Sequence, residues 1–240
     1  MAGHGLTLRE CRPELMDFGF IARCYEVAEN IYDPDLLRAL VEARLGAAGI
    51  PFEWREFFRE MRGDYDFVVW ATYGMGASQD VFGIAKYQVA EKILVELPME
   101  LRGVALVIVD GPFTGFDPHG ESAYSLFGSA KHTNHWTSTD AAPAIPEIYA
   151  RRLNLASFTP AEDSRFNAMR EDCARAVPAA REAKYIGSRF TVRAVEDSPE
   201  DRRILYVRDG APGEIHIFSG KVVSAVKAAR LVCEKIESYG

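Results

Sequence analysis

The stretch Arg203-Ile-Leu-Tyr-Val-Arg-Asp-Gly-Ala-Pro-Gly-Glu-Ile-His-Ile-Phe-Ser-Gly-Lys221, with the segment that follows it to Tyr239, decides the fold class. Ile204 to Val207 and Glu214 to Phe218 read as two short strands, because β-branched and aromatic residues are bounded by Asp209-Gly210 and Pro212-Gly213. From Val222 the period changes. Val222, Val226, Ala229, Cys233 and Ile236 recur in steps of four and three, which is one face of an α-helix. Ser219 reads as the N-cap of that helix, and Gly220 leaves its first amides open to a close ligand. A strand running into such a helix start aims unpaired N–H groups and the positive end of the helix dipole in one direction, a ready anion site. Lys221 opposes that dipole, so it reads either as the partner of an anionic ligand or as a solvated surface lysine.

Upstream, Asp33-Pro34 is an N-cap followed by proline at the first helical position, and Leu36, Leu37, Leu40, Ala43 and Leu45 form an apolar stripe that stops at Gly49. A strand with Phe52 and Trp54 is predicted next. Phe67-Val-Val-Trp-Ala71 is a continuous apolar run of the kind found at the centre of a sheet covered on both faces. Lys86 to Leu97 predicts a long strand, and Gly103 to Val109 a further buried one. Strands are also predicted over Ser122 to Gly128 and Ser129 to Thr133. Thr159-Pro160 signals a second helix with Phe166, Met169, Cys173 and Val177 on one face, ended by Pro178. Residues 1–20 lack a period and predict a loosely held start. The pattern is that of a mixed α/β (α+β) chain forming a single compact unit over residues 1–240, with a largely antiparallel sheet over residues 84–158 and packed helices.

Composition, with 48% hydrophobic and 26% charged residues, is that of an ordinary globular protein. The net charge of −7 argues against nucleic acid as the main partner, since phosphate backbones are met by a basic patch. Cys11, Cys24, Cys173 and Cys233 form no CxxC pair, which predicts reduced thiols in a cytoplasmic protein. Neither a secretory leader nor a membrane span is signalled.

Several motifs bear on chemistry. Gly74-Met-Gly76 follows a strand, but Gln79 stands where GxGxxG has its third glycine, so a turn leaving the sheet is the plainer reading. His132 and His135 lie three apart beside Trp136. They read as a pocket wall with one imidazole as general base, or as histidines satisfied at a sheet edge, and no third metal ligand is signalled. Asp110 and Asp117 sit beside glycine or proline, where turn-capping is the default. Arg189 and Arg193 share one face of a predicted strand, suited either to clamping a carboxylate substrate or to pairing with Glu196, Asp197 or Asp201. No Gly-x-Ser-x-Gly elbow is present.

Taken in order, Tyr25-Glu26-Val27-x-Glu29-x-Ile31-x-Asp33-x-x-Leu36-x-x-x-Leu40, then Asp66-Phe-Val-Val-Trp-Ala-Thr-Tyr-Gly74, then Val107-Ile-Val-Asp-Gly-Pro-Phe113, then His132-Thr133, and lastly Phe218-Ser-Gly-Lys221 before a helix, the sequence resembles the D-amino-acid-oxidase-like FAD-dependent oxidoreductases. The resemblance implies FAD as cofactor, with Ala71, Thr72 and Gly74 near it and Gly210, Ser219, Gly220 and Lys221 at its C-terminal contact. It implies a small-molecule substrate over the sheet of residues 84–158, facing His132 and His135 as catalytic residues and Arg189 and Arg193 as substrate-binding ones. Residues 23–83 and 159–240 would then be the remnant of the FAD-binding region. The family's GxGxxG unit is not matched, so the resemblance further implies that this chain does not hold FAD tightly by itself, the dinucleotide half being supplied by a separate FAD-binding chain or lost. The alternative is a noncatalytic binding or accessory protein that forms a homodimer. No metal, nucleic acid or membrane is expected.

Overall fold

In the computed structural model, residues 7–51, 59–73, 79–82, 86–109, 113–140, 143–196 and 204–239 are described. The strands are β1 (Leu8–Cys11), β2 (Cys24–Val27), β3 (Val68–Trp70), β4 (Lys86–Glu96), β5 (Leu106–Ile108), β6 (Thr114–Pro118), β7 (Ser125–Ser129), β8 (Asn134–Ser138), β9 (Lys184–Val195), β10 (Tyr206–Asp209) and β11 (Glu214–Phe218). The helices are α1 (Pro34–Ala47), α2 (Gln79–Phe82), α3 (Glu147–Ala150), α4 (Phe166–Ala174) and α5 (Ala225–Glu237). The fold class is mixed α/β. The chain forms two compact units: Met1–Phe52, Ala90–His135 and Ile148–Thr191 make the first, and Glu53–Val89, Trp136–Glu147 and Val192–Gly240 the second. The division falls within β4, β8 and β9.

The largest sheet runs β5-β6-β7-β4-β8, with β9 also pairing with β4. Its β5–β6, β6–β7 and β7–β4 pairings are antiparallel, with Phe116 opposite Phe127 and Phe127 opposite Ile93. Because side chains alternate across a strand, these residues and Val95 share one face. In the first unit that face meets Phe166, Met169 and Cys173 of α4. Phe116 and Phe127 stack at 6.1 Å. Each such fully buried side chain contributes roughly 1.5–3 kcal/mol.

In the second unit β3, β11 and β10 form a three-stranded sheet, β10 antiparallel and β3 parallel to β11. Tyr87, Ala194 and Phe218 are its buried apolar centre, with Tyr73, Phe82, Trp136, Val192 and Tyr206 around them.

Several sequence expectations are corrected. Residues 1–20 are not loosely held throughout, since β1 pairs with β2 and Met16 is buried. The apolar run at 67–71 is not a central strand: among the described residues β3 is an edge, and Val69 is exposed. β5 is likewise an edge, with Val107 exposed. Asp117 lies in β6 rather than in a turn. The second helix starts at Phe166, not Pro160, because the Thr159 backbone exchanges two hydrogen bonds with Ser188 (3.1 and 2.8 Å) and is held as a bridge. The C-terminal helix buries Ala228 and Val232, not Val222, Val226, Ala229 and Cys233. Lys235 and Tyr239 both bond Asp209 of β10 (2.6 and 2.9 Å), which fixes the rotation of α5 against that strand. The expected strand at Phe52 and Trp54 and the positions Gly74 and Asp110 lie outside the described residues.

Candidate functional site

The two histidines belong to the first unit and diverge. His132 sits in the turn before β8, where its N–H donates to the Ser129 carbonyl (3.1 Å). Its ring Nε2 is hydrogen-bonded to Asp172 of α4 at 2.9 Å, with the Lys131 ammonium 3.7 Å from the same carboxylate oxygen. Both His132 and Asp172 keep 19% of the side chain exposed, so this pair is reachable from solvent.

His135, on β8, is enclosed at 3% exposure, and its Nε2 is bonded to Glu91 of β4 at 2.8 Å. Its other nitrogen is 3.9 Å from Asp163, which Arg152 holds through two bonds of 2.7 and 2.8 Å. Glu91 accepts further from the Ser188 hydroxyl and from the Arg165 N–H (3.1 Å). Arg165 is the N-cap of α4, so this carboxylate also satisfies a donor at the positive end of a helix. Burial alone would raise the Glu91 carboxyl, but hydrogen bonds from His135, Ser188, Ser164 and the Arg165 N–H hold it below the usual carboxylate range. The arrangement fastens β4, β8, β9 and α4 to one buried charge.

Glu91, Asp172, Asp163 and Ser188 belong to no motif of the sequence. The signal for Glu91 was present: a lone acid alternating with Val89, Ile93 and Val95 on an apolar strand must be buried, and a buried charge needs donors.

Arg189 lies on β9 with its guanidinium 4.5 Å over the Phe158 ring. Arg193 lies farther along β9, in the second unit.

The remaining candidates belong to the second unit. The parallel register pairs His216 with Trp70, so the carboxyl ends of β3 and β11 lie at the same end of their sheet. Ala71 and Thr72 leave β3, and Ser219, Gly220 and Lys221 leave β11, at that same end, and Tyr73 stacks on Phe218 at 5.7 Å. Gly210 is not with them. It pairs with Glu214 at the opposite end of β11, where the buried His216 ring leaves no room for a Cβ.

Ser219 caps the turn differently from expectation. Its hydroxyl accepts from the Lys221 N–H (3.2 Å) and bonds Ser224, and a short 3₁₀ turn, Val222–Ser224, precedes α5. Lys221, Val222, Val223 and Val226 are exposed around this turn. The arrangement leaves an exposed ammonium and a row of apolar side chains at the carboxyl end of a parallel strand pair. That is where open α/β sheets take ligands.

No family model matches the chain, and no curated protein does. Among solved structures it is similar to the crystal structure of glycine oxidase from Geobacillus kaustophilus, at 15% identity and a TM-score of 0.45, over 72% of this chain and 41% of that one. The chain therefore spans less than half the length of that enzyme. No described helix is long and apolar enough to cross a membrane.

Proposed function

We propose that the chain is part of an FAD-dependent oxidoreductase of the D-amino-acid-oxidase type, acting on a C–H next to an amine or hydroxyl of a small molecule. The supporting observation is the parallel β3–β11 pair, from whose shared carboxyl end Ala71-Thr72 and the Ser219-Gly220-Lys221 turn lead out. The residues present suit the ring and ribityl end of a flavin: exposed valines for apolar contact, and Lys221 with main-chain donors for polar atoms. The Ser219 hydroxyl is engaged within the turn and is not counted among those donors. In this reading the dinucleotide half is held by groups outside these residues.

When bound, the flavin supplies the hydride acceptor. The chain's own part is to orient the substrate and to place a base. His132, held by Asp172 and open to solvent, is the better placed of the two histidines to take a proton, while His135 is enclosed against Glu91. Arg189, in the same unit as His132, is the candidate for a substrate carboxylate.

The reading is tested by titrating the purified protein with riboflavin, FMN and FAD, following flavin fluorescence and visible absorbance. Saturable binding is expected, weakened about tenfold by Lys221→Ala through loss of one charged contact. Absence of any spectral change with all three flavins overturns it.

A second reading, a noncatalytic accessory protein that dimerises, is favoured by α1. That helix buries no residue, and Leu36, Leu37, Leu40 and Val41 are all exposed on it. A monomer by sedimentation that binds flavin would exclude this reading.

A further inference from the structure

We propose that Cys11 and Cys24 are a site of oxidative modification, closing to an intrachain disulfide that fastens residues 12–23 in place. β1 and β2 are antiparallel, and their register sets Cys11 directly opposite Cys24. The two sulfurs are 3.7 Å apart. Directly opposed residues of an antiparallel pair have Cα atoms about 4.5–5.5 Å apart, within the roughly 4.4–6.8 Å that a disulfide accepts. The backbone already has the spacing of the bridged state, and side-chain rotation closes the remaining gap.

The surroundings set these two thiols apart from the others. Alternation places Arg9 and Glu26 on the same strand face, one pair further along, where they bond each other. The Arg9 guanidinium therefore stands near Cys11 as a positive neighbour, partly neutralised by Glu26. Cys173 is buried in the core, where burial pushes its thiol up to about 12 and leaves it unreactive. Cys233 lies exposed on α5.

The span being closed matters to the first unit. It carries Met16 into the buried core, packs Leu15, Phe18 and Ile21 against it, and ties down through the Asp17 N–H to the Ala176 carbonyl (2.8 Å). A cross-link at the mouth of this loop removes its freedom in the unfolded chain and keeps it seated.

With a small disulfide such as oxidised glutathione as oxidant, one thiolate attacks it, forming a mixed disulfide and releasing one glutathione thiolate. The second protein thiolate then attacks the mixed disulfide, forming the Cys11–Cys24 bond and releasing the other. Two protein thiols are oxidised, one glutathione disulfide is reduced to two thiols, and the protons pass to those thiols or to buffer. Burial, together with the Cys11 thiol beside it, pushes the Cys24 thiol up to about 11. Closure is accordingly slow at neutral pH and quickens as pH rises.

The test equilibrates the reduced, folded protein with graded ratios of oxidised to reduced glutathione, then traps remaining thiols by alkylation and digests with trypsin. The expected product is a linked pair of peptides, residues 10–23 and 24–38, with alkylatable thiols falling by two from the four cysteines of the chain. Dithiothreitol reverses it. The oxidised protein melts several degrees higher, a shift that persists in Cys233→Ser and is absent in Cys11→Ser. The proposal is overturned if all four thiols stay alkylatable across the range. It is equally overturned if both cysteines carry glutathione without linking, or if the link forms only in denaturant.

Discussion

Replacing Glu91 by alanine removes the acceptor on which β4, β8, β9 and α4 converge, and its cost follows from the groups left behind. The His135 Nε2–H and the Arg165 N–H lose their partner inside the protein. The Ser188 hydroxyl does not, because it can turn to Tyr185 at 2.8 Å. Two buried donors left unsatisfied at about 1–3 kcal/mol each give a destabilisation of roughly 4 kcal/mol, a large part of the 5–15 kcal/mol typical of a folded protein. At about 2–4 °C per kcal/mol for a chain of this size, the melting temperature falls by on the order of 10 °C. Glu91→Gln keeps the volume and one oxygen acceptor, and costs only about 1–2 kcal/mol. Urea unfolding and thermal melting followed by circular dichroism measure both variants. If Glu91→Ala lies within about 1 kcal/mol of the parent, or Glu91→Gln is as damaging as Glu91→Ala, the carboxylate is not the anchor described.

The same carboxylate gives a pH dependence. Its folded pKa lies below the unfolded value, so its stabilisation is complete above about pH 4.5 and is lost as pH falls through the folded value. Between about pH 6 and 3 the parent protein therefore loses more stability than Glu91→Gln, and parallel curves would contradict this. At α1, Asp33 accepts from the Asp35 and Leu36 N–H groups (2.8 and 3.1 Å), and the helix has no buried residue to compensate for losing them. Asp33→Ala costs the helix about 1 kcal/mol, seen as roughly fivefold faster amide exchange at residues 35–37, whereas Asp33→Ser restores protection. Unchanged exchange in the alanine variant would refute the cap.

Where a signal is local, residue type and spacing alone announce the outcome. Asp33-Pro34 announces α1 because the cap bonds reach only two and three residues along the chain. The turn at Gly210 to Gly213 announces the β10–β11 hairpin for the same reason. The mixed α/β class followed from such periods and stops. Tertiary structure decided what depends on partners far away in the chain. Thr159 carries the marks of an N-cap, yet Ser188 takes its backbone and moves the helix start to Phe166. The apolar runs at β3 and β5 have the composition of central strands, but sheet order, not composition, made them edges. His132 and His135 look like a pair on paper and are divided between Asp172 and Glu91. Cys11 and Cys24 look unrelated, and a strand register sets them face to face. A residue's type and spacing fix what it can bond, whereas only the folded chain selects which of the competing partners is within reach.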